Sequence, residues 1–178
     1  MTLDRVNEIL KSKKFIEYVS ELKRLEKNRI FCKHGIDHSL DVARISYIKV
    51  LENNFKFSKE VIYAAALLHD LGRVDEYKHD IPHNVAGVKI AKEILNETTF
   101  TTKEKNQIVN AILNHRKKSN DYEFFHNEED ILDDDLNDII KLSEIILSSD
   151  KESRNCFDCD AVNMCYWDEN KKNFKIKI

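Results

Sequence analysis

The stretch that decides the fold is Val61–Gly72, VIYAAALLHDLG, in which eight apolar residues precede His69 and Asp70. A helix that is apolar on every side is typical of the centre of a globular domain. His69 lies three and four residues after Ala66 and Ala65, so its imidazole belongs to the same buried surface. An unpartnered imidazole there would cost ~1–3 kcal/mol, so His69 must be hydrogen-bonded, paired with a charge or bound to a metal.

Around this helix the sequence predicts an all-α protein. The chain has 178 residues with only 3 Gly and 1 Pro, too few for the turns of a β-sandwich or barrel, and it contains no Gly-rich phosphate loop. Ser58 and Thr101–Glu104 are typical helix caps, and the polar segments 73–82 and 119–130 are predicted loops. Helical spacing of apolar residues predicts about six helices, near residues 3–27 (one helix or two), 38–53, 58–71, 83–96, 101–117 and 132–150.

Four other candidate ligands repeat the pattern of His69 on separate helices. His38 and His83 each precede apolar residues at helical spacing, and His115 and Asp150 each follow them. Their side chains are therefore predicted to face the core. Four histidines and two aspartates converging on an apolar interior would be costly if unpaired, which favours a metal site over a purely structural polar network.

The order His38, His69-Asp70, His83, His115, Asp150 resembles the HD-domain superfamily of metal-dependent phosphohydrolases. The local sequences HSLDVAR (38–44) and AAALLHDLGR (64–73) match that family's first-histidine helix and its core motif, and the resemblance covers about residues 30–154. His83 with Gly87, followed by Ile108–His115, resembles the two-metal subgroup that includes bacterial diadenosine tetraphosphate hydrolases and HD-GYP phosphodiesterases. The HD-GYP triplet itself is missing, so a cyclic-dinucleotide substrate is not supported.

The resemblance implies a role for each of these residues. His38, His69, Asp70 and Asp150 would bind a first metal, and Asp70 would bridge to a second metal held by His83 and His115. A carboxylate can span two ions ~3.5–4 Å apart, and mixed imidazole and carboxylate ligands favour Fe or Mn, with Zn, Co or Ni as alternatives. Asp70 and Arg73 are the predicted catalytic residues. Arg73, where the family often has Lys, and Arg116 are the predicted phosphate-binding residues, followed by Arg154.

The predicted activity is hydrolysis of a phosphoester or phosphoanhydride bond of a nucleotide-like substrate by metal-activated hydroxide. Two alternatives stay open. One is a single-metal 5′-nucleotidase in which His83 and His115 orient the phosphate. The other is a non-catalytic nucleotide-binding sensor that keeps the metal as a structural element.

The cysteines are concentrated in a tail, residues 151–178, that follows the helical domain of residues 1–150. Cys156, Cys159 and Cys165, with Cys32 or a tail side chain as a fourth ligand, could bind a structural zinc or an iron–sulfur cluster, or they could be free thiols. The alternation in Phe174–Ile178 is typical of a short strand.

Bulk properties place few restrictions on partners. With 29 Lys+Arg and 32 Asp+Glu the net charge is −3, which argues against binding to duplex nucleic acid. No segment has the length of a membrane span or the pattern of a signal peptide, so a cytoplasmic protein, free or as a homodimer, is expected. Of the other histidines, His34 is a candidate for supporting a ligand, and His79 and His126 are predicted to be exposed.

Overall fold

The computed structural model describes residues 2–117, 121–123 and 133–177. These residues form eight α-helices and, after the last of them, three single-turn 3-10 helices. The α-helices are α1 (Asp4–Lys11), α2 (Lys13–Leu25), α3 (Ile36–Glu52), α4 (Lys59–Leu68), α5 (Arg73–His79), α6 (His83–Asn96), α7 (Thr102–Asn114) and α8 (Asp133–Glu152). The all-α class predicted from the sequence is confirmed.

Helix α4 is the centre of the fold. Its residues Val61, Ile62 and Ala64–Leu68 are at most 3% exposed, as expected of a helix without a polar face. It packs against α1, α3, α7 and α8. The end of α4, where His69 and Asp70 follow, is therefore enclosed by helices from distant parts of the chain.

The predicted helix starts are confirmed at two caps. The Ser58 hydroxyl accepts a hydrogen bond from the Val61 backbone N–H at the start of α4. Thr101 and Glu104 form a reciprocal capping box at the start of α7, which satisfies two backbone N–H groups that the helix itself cannot. These caps fix where α4 and α7 begin, and so where their C-terminal residues lie.

The N-terminal lead-in, for which the sequence predicts one helix or two, is two helices that meet at Ser12, whose ψ of 127° is extended. Two other local predictions differ from the structure. Residues Arg73–His79 form helix α5 and not a loop, because acidic residues in its first turn and basic residues in its last complement the helix dipole around one buried residue, Val74. The described residues Phe174–Lys177 form no strand, since no other strand is present among the described residues to pair with them.

Some predictions concern residues outside those described. They are the exposure of His126 and most of the loop 119–130. Within the described residues no helix is long and apolar enough to cross a membrane.

Candidate metal centre

His69 and Asp70 lie directly after α4, and both are buried. The His69 side chain is fully buried, and its Nδ1 donates a hydrogen bond to the Ala66 carbonyl at 2.7 Å. Because a carbonyl can only accept, Nδ1 carries the proton and Nε2 presents its lone pair. That Nε2 atom is 3.1 Å from Asp70 Oδ2.

One group of ligand atoms forms where α3 and α8 reach this pair. His38, in the first turn of α3, places Nε2 at 3.5 Å from Asp70 Oδ2 and 3.3 Å from Asp150 Oδ1. His38, His69, Asp70 and Asp150 each offer a ligand atom, and these atoms all lie within 4.8 Å of one another.

A second group shares Asp70. His83 Nε2, at the first residue of α6, is 3.4 Å from Asp70 Oδ1 and 3.1 Å from Nε2 of His115. The ligand atoms of these three residues also lie within 4.8 Å of one another. All six predicted ligands are thus brought together in two groups, with one carboxylate common to both.

The histidines of the second group are neutral. Burial, followed by the nearby His69, lowers the pKa of His115 to about 3. Burial and then the positive charge of Arg73 lower the pKa of His83 to about 3. Both rings are therefore available as metal ligands at pH 7 without losing a proton.

In the first group, the pKa values of Asp70, Asp150 and His38 are shifted. Burial opposes ionisation of Asp70, but His69 and Arg73 hold its pKa well below the usual range. Burial likewise opposes ionisation of Asp150, yet its pKa is lowered by His38. For His38 burial alone would lower the pKa, but the carboxylates of Asp150 and Asp70 raise it to about 9.

The site fits a metal because its innermost polar atoms have no other partner. Nε2 of His38, Nε2 of His69 and Oδ2 of Asp70 are buried and make no hydrogen bond with the described residues. Buried polar atoms are rarely left in this state unless an ordered water or an ion satisfies them. Imidazole nitrogens mixed with carboxylate oxygens suit a transition metal, as the sequence predicts.

Four arginines, Arg29, Arg73, Arg116 and Arg154, line the cleft of about 320 Å³ that opens onto these groups. Arg73 donates from Nε to Asp70 Oδ1 at 2.7 Å. Arg116, 54% exposed, reaches Glu76 at 3.4 Å. The Arg154 guanidinium lies over the Trp167 ring, 4.0 Å from its centroid. Guanidinium groups therefore line the cleft beside the candidate ligands.

Sequence reasoning missed the acids that support the ligands. Glu76 on α5 accepts from His83 Nδ1 at 2.8 Å. Glu26 at the end of α2 bonds both the backbone N–H and Nδ1 of His34, whose ring meets that of His38 edge-on. A glutamate in a polar segment looks like any exposed glutamate, so neither carried a signal in the sequence. His79 is exposed, as predicted.

Comparison with known proteins identifies the family. The HD domain model matches residues 35–154. An uncharacterised protein of Clostridium beijerinckii is 36% identical over 174 residues, 98% of this chain and 99% of that protein. No solved structure matches.

Two more distant relatives are ribonuclease Y of Petrotoga mobilis and of Acetivibrio thermocellus. Each is 29% identical, over 103 and 99 residues, which is 58% and 56% of this chain but 18% and 17% of those proteins. None of these three relatives is named as a diadenosine tetraphosphate hydrolase, so that subgroup stays a prediction. Because the HD domain model spans every histidine and aspartate of both groups, the chain belongs to the HD domain family.

Proposed function

We propose that this protein is a two-metal phosphohydrolase that cleaves a phosphoester or phosphoanhydride bond of a nucleotide-like substrate. One observation carries the proposal: two groups of ligand atoms share the buried carboxylate of Asp70. Two ions held this way, with Fe or Mn favoured, would activate water and neutralise charge on the phosphate. A buried carboxylate common to two imidazole pairs has little use in a merely structural polar network.

The protein's own residues have separable tasks in this proposal. His38, His69, Asp70 and Asp150 would hold one ion, and Asp70, His83 and His115 the other. The Arg73 Nε bond orients the shared carboxylate, and its Nη1 contacts Glu76 at 3.4 Å, so Nη2 would take a phosphate oxygen. Arg116 is tied only by longer contacts of 3.3–3.4 Å, so it can turn towards the substrate. Cationic donors fixed around the phosphate stabilise charge that builds up during hydrolysis.

The nucleotide-like character of the substrate rests on the aromatic side of the cleft. Tyr166 and Trp167 line it together with the arginines. A half-buried indole beside cationic groups offers a stacking surface for a base within reach of a phosphate site. The names of the two ribonuclease Y relatives make RNA phosphodiesters a second candidate substrate class.

Metal analysis of purified variants tests the ligand assignment. We expect about two ions per wild-type chain in these groups, one fewer in His83→Ala, and loss of both in Asp70→Ala. The matched control is Asp4→Ala, an exposed aspartate in the first turn of α1. Unchanged metal content in Asp70→Ala would refute the site, and a single ion in the wild type would favour the single-metal alternative.

Turnover tests the activity. The metal-loaded protein is offered mononucleotides, dinucleotides and single-stranded oligoribonucleotides, with Mn or Fe supplied, and release of phosphate or cleaved product is measured. Hydrolysis that disappears in Asp70→Ala supports the proposal. Binding of nucleotides without any hydrolysis would identify the protein as a sensor.

A further inference from the structure

The chain after α8 has almost no hydrophobic core of its own. Its regular structure consists of single-turn helices at Cys156–Asp158, Val162–Met164 and Glu169–Lys171. Among the described residues after 152, Ala161 is the only buried hydrophobic side chain. Irregular segments of this size usually depend on a cross-link or a metal for their shape.

All four cysteines of the chain meet at one cavity beside the metal cleft. The cavity measures about 390 Å³, and Cys32, Cys156, Cys159 and Cys165 all line it. None forms a disulfide. Three come from the tail, but Cys32 comes from the joint before α3, so the convergence is produced by the fold and not by sequence proximity.

Local structure explains how the thiols are brought together. Cys156 begins the first single-turn helix and Cys159 follows it, whereas Cys165 follows the second. Phe31 and Tyr166, the neighbours of Cys32 and Cys165, pack edge to face with ring centroids 6.1 Å apart. This contact joins the two segments that supply the sulfur atoms.

The cavity carries charged side chains of both signs. Lys33, Arg154 and Lys172 line it together with Asp41, Asp158 and Asp160. Burial raises the pKa of Cys32, Arg154 lowers it, and the nearness of Cys156 and Cys159 raises it again. Three thiols thus lie close enough to oppose one another's ionisation, and a bound cation would remove that opposition.

We propose that Cys32, Cys156, Cys159 and Cys165 bind one zinc ion as thiolates and thereby fix the tail on the helical domain. Four thiolates, two of them in a C-x-x-C pair, form a common tetrahedral zinc ligand set. Among the described residues, only the two histidine–aspartate groups have all their ligand atoms within 4.8 Å of one another. The four thiols do not meet this distance, so they lie further apart. Zinc would draw them together, as expected where metal binding and folding are coupled.

Such a zinc site would also shape the neighbouring cleft. Cys32, Arg154 and Cys165 line both the cysteine cavity and the cleft above the candidate metal centre. Trp167, two residues after Cys165, carries Arg154 on its ring. The zinc would therefore hold in place one wall of the cleft, next to His38, which lines both spaces.

Zinc content of variants of the full chain separates the two sites. We expect Cys156→Ser/Cys159→Ser and, independently, Cys32→Ser to lose one equivalent of zinc while keeping the ions of the histidine–aspartate groups. Asp70→Ala should do the reverse. Cys165→His, which retains a zinc ligand, should keep the zinc that Cys165→Ser loses. Because the retained ions and the helical circular dichroism report on folding, loss of zinc is not confused with unfolding.

The single tryptophan gives a second readout. Addition of zinc to chelator-treated Asp70→Ala protein should change the fluorescence of Trp167. Addition of zinc to the double variant Asp70→Ala/Cys32→Ser should leave it unchanged. Zinc content that is the same in wild type and Cys32→Ser would overturn the proposal. Iron with acid-labile sulfide, absorbing in the visible and lost with the cysteines, would overturn the assignment to zinc.

Discussion

At the scale of single residues, the site depends on the hydrogen bond that orients each imidazole through Nδ1, the nitrogen that faces away from the shared carboxylate. His69 and His115 donate from Nδ1 to the carbonyls of Ala66 and Ile112, each three residues earlier. His83 donates instead to a carboxylate, that of Glu76. These bonds select the tautomer in which Nε2 is free, so the rings face the shared carboxylate before any ion arrives.

Glu76→Gln should weaken the second ion specifically. Glutamine keeps an acceptor for His83 Nδ1 but removes the negative charge that makes the ring a better ligand. Substitution of a residue that supports a metal ligand typically lowers metal affinity by about 10–100-fold. Calorimetric titration of metal-free protein measures the affinity of each group. The exposed Glu97→Gln is the matched control, and equal weakening of both ions by Glu76→Gln would contradict this role.

The convergence of the candidate ligands could be predicted from the sequence, whereas the groups that support them could not. His38, His83, His115 and Asp150 stand at helical spacing from apolar residues, so the direction of each side chain follows from the helix alone. Whether Glu76 is exposed or bonded to His83 depends on how α5 packs against α6. No local pattern contains that information.

At the scale of elements, the turn between α4 and α5 packs directly against the backbone at the start of α6, because Gly72 has no side chain. A Cβ atom on Gly72 would lie 2.0 Å from the His83 carbonyl oxygen and 2.5 Å from the Gly87 backbone nitrogen. Its φ of −63° is ordinary, so glycine is required for close approach and not for backbone conformation. The contact sets the distance between Asp70 and His83.

Alanine substitutions at the three glycines should form a graded series. Gly72→Ala pushes backbone against backbone and should cost about 1–3 kcal/mol or more. Gly87→Ala, whose Cβ would lie 3.0 Å from a methyl group of Ile112, should cost less. Gly35→Ala meets nothing within 4 Å and should stay within about 0.5 kcal/mol of wild type. Urea unfolding measures all three, and a Gly35 variant as unstable as the Gly72 variant would refute the close-approach explanation.

Helix α5 shows the limit of prediction at this scale. Hydrophobic spacing identified the helices that have an apolar face, but α5 buries only Val74, and its sequence is otherwise polar. It is ordered by contacts with α2 and α6 and by charges, such as the Arg73 and Arg116 contacts to Glu76. Elements without an apolar face leave no periodic signal in the sequence.

At the scale of the whole molecule, the titrating histidines predict that the metal-free protein is most stable near pH 6.5. The pKa of His83 and of His115 is about 3 when folded and about 6.5 when unfolded, so the unfolded state binds more protons between these values and stability falls as the pH drops. The pKa of His38 is about 9 in the folded state, so protonated His38 stabilises the fold. This stabilisation is lost as the pH rises from 6.5 to 9.

Unfolding of metal-free protein at a series of pH values checks this maximum. His115→Asn should flatten the acid side of the curve and leave the alkaline side unchanged, whereas His38→Asn should do the opposite. The pKa of Glu26 is lowered to about 2 by His34 against the effect of burial. Its contribution to the free energy of unfolding is therefore lost only below about pH 4.5, outside the range in which the histidines titrate. A stability curve that His115→Asn does not alter between pH 4.5 and 6.5 would contradict the buried neutral ring.

Metal binding should stabilise the entire helical domain, because the six ligands come from α3, α6, α8 and the ends of α4 and α7. An ion that binds only the folded state contributes about 2.7 kcal/mol at a free concentration 100-fold above its dissociation constant. For a chain of this length that corresponds to a rise in Tm of roughly 5–11 °C. Scanning calorimetry of chelator-treated protein with added Mn should show this rise, and Asp70→Asn should abolish it because both groups lose their shared ligand. A Tm rise of the same size in Asp70→Asn would mean that the stabilising ion binds elsewhere.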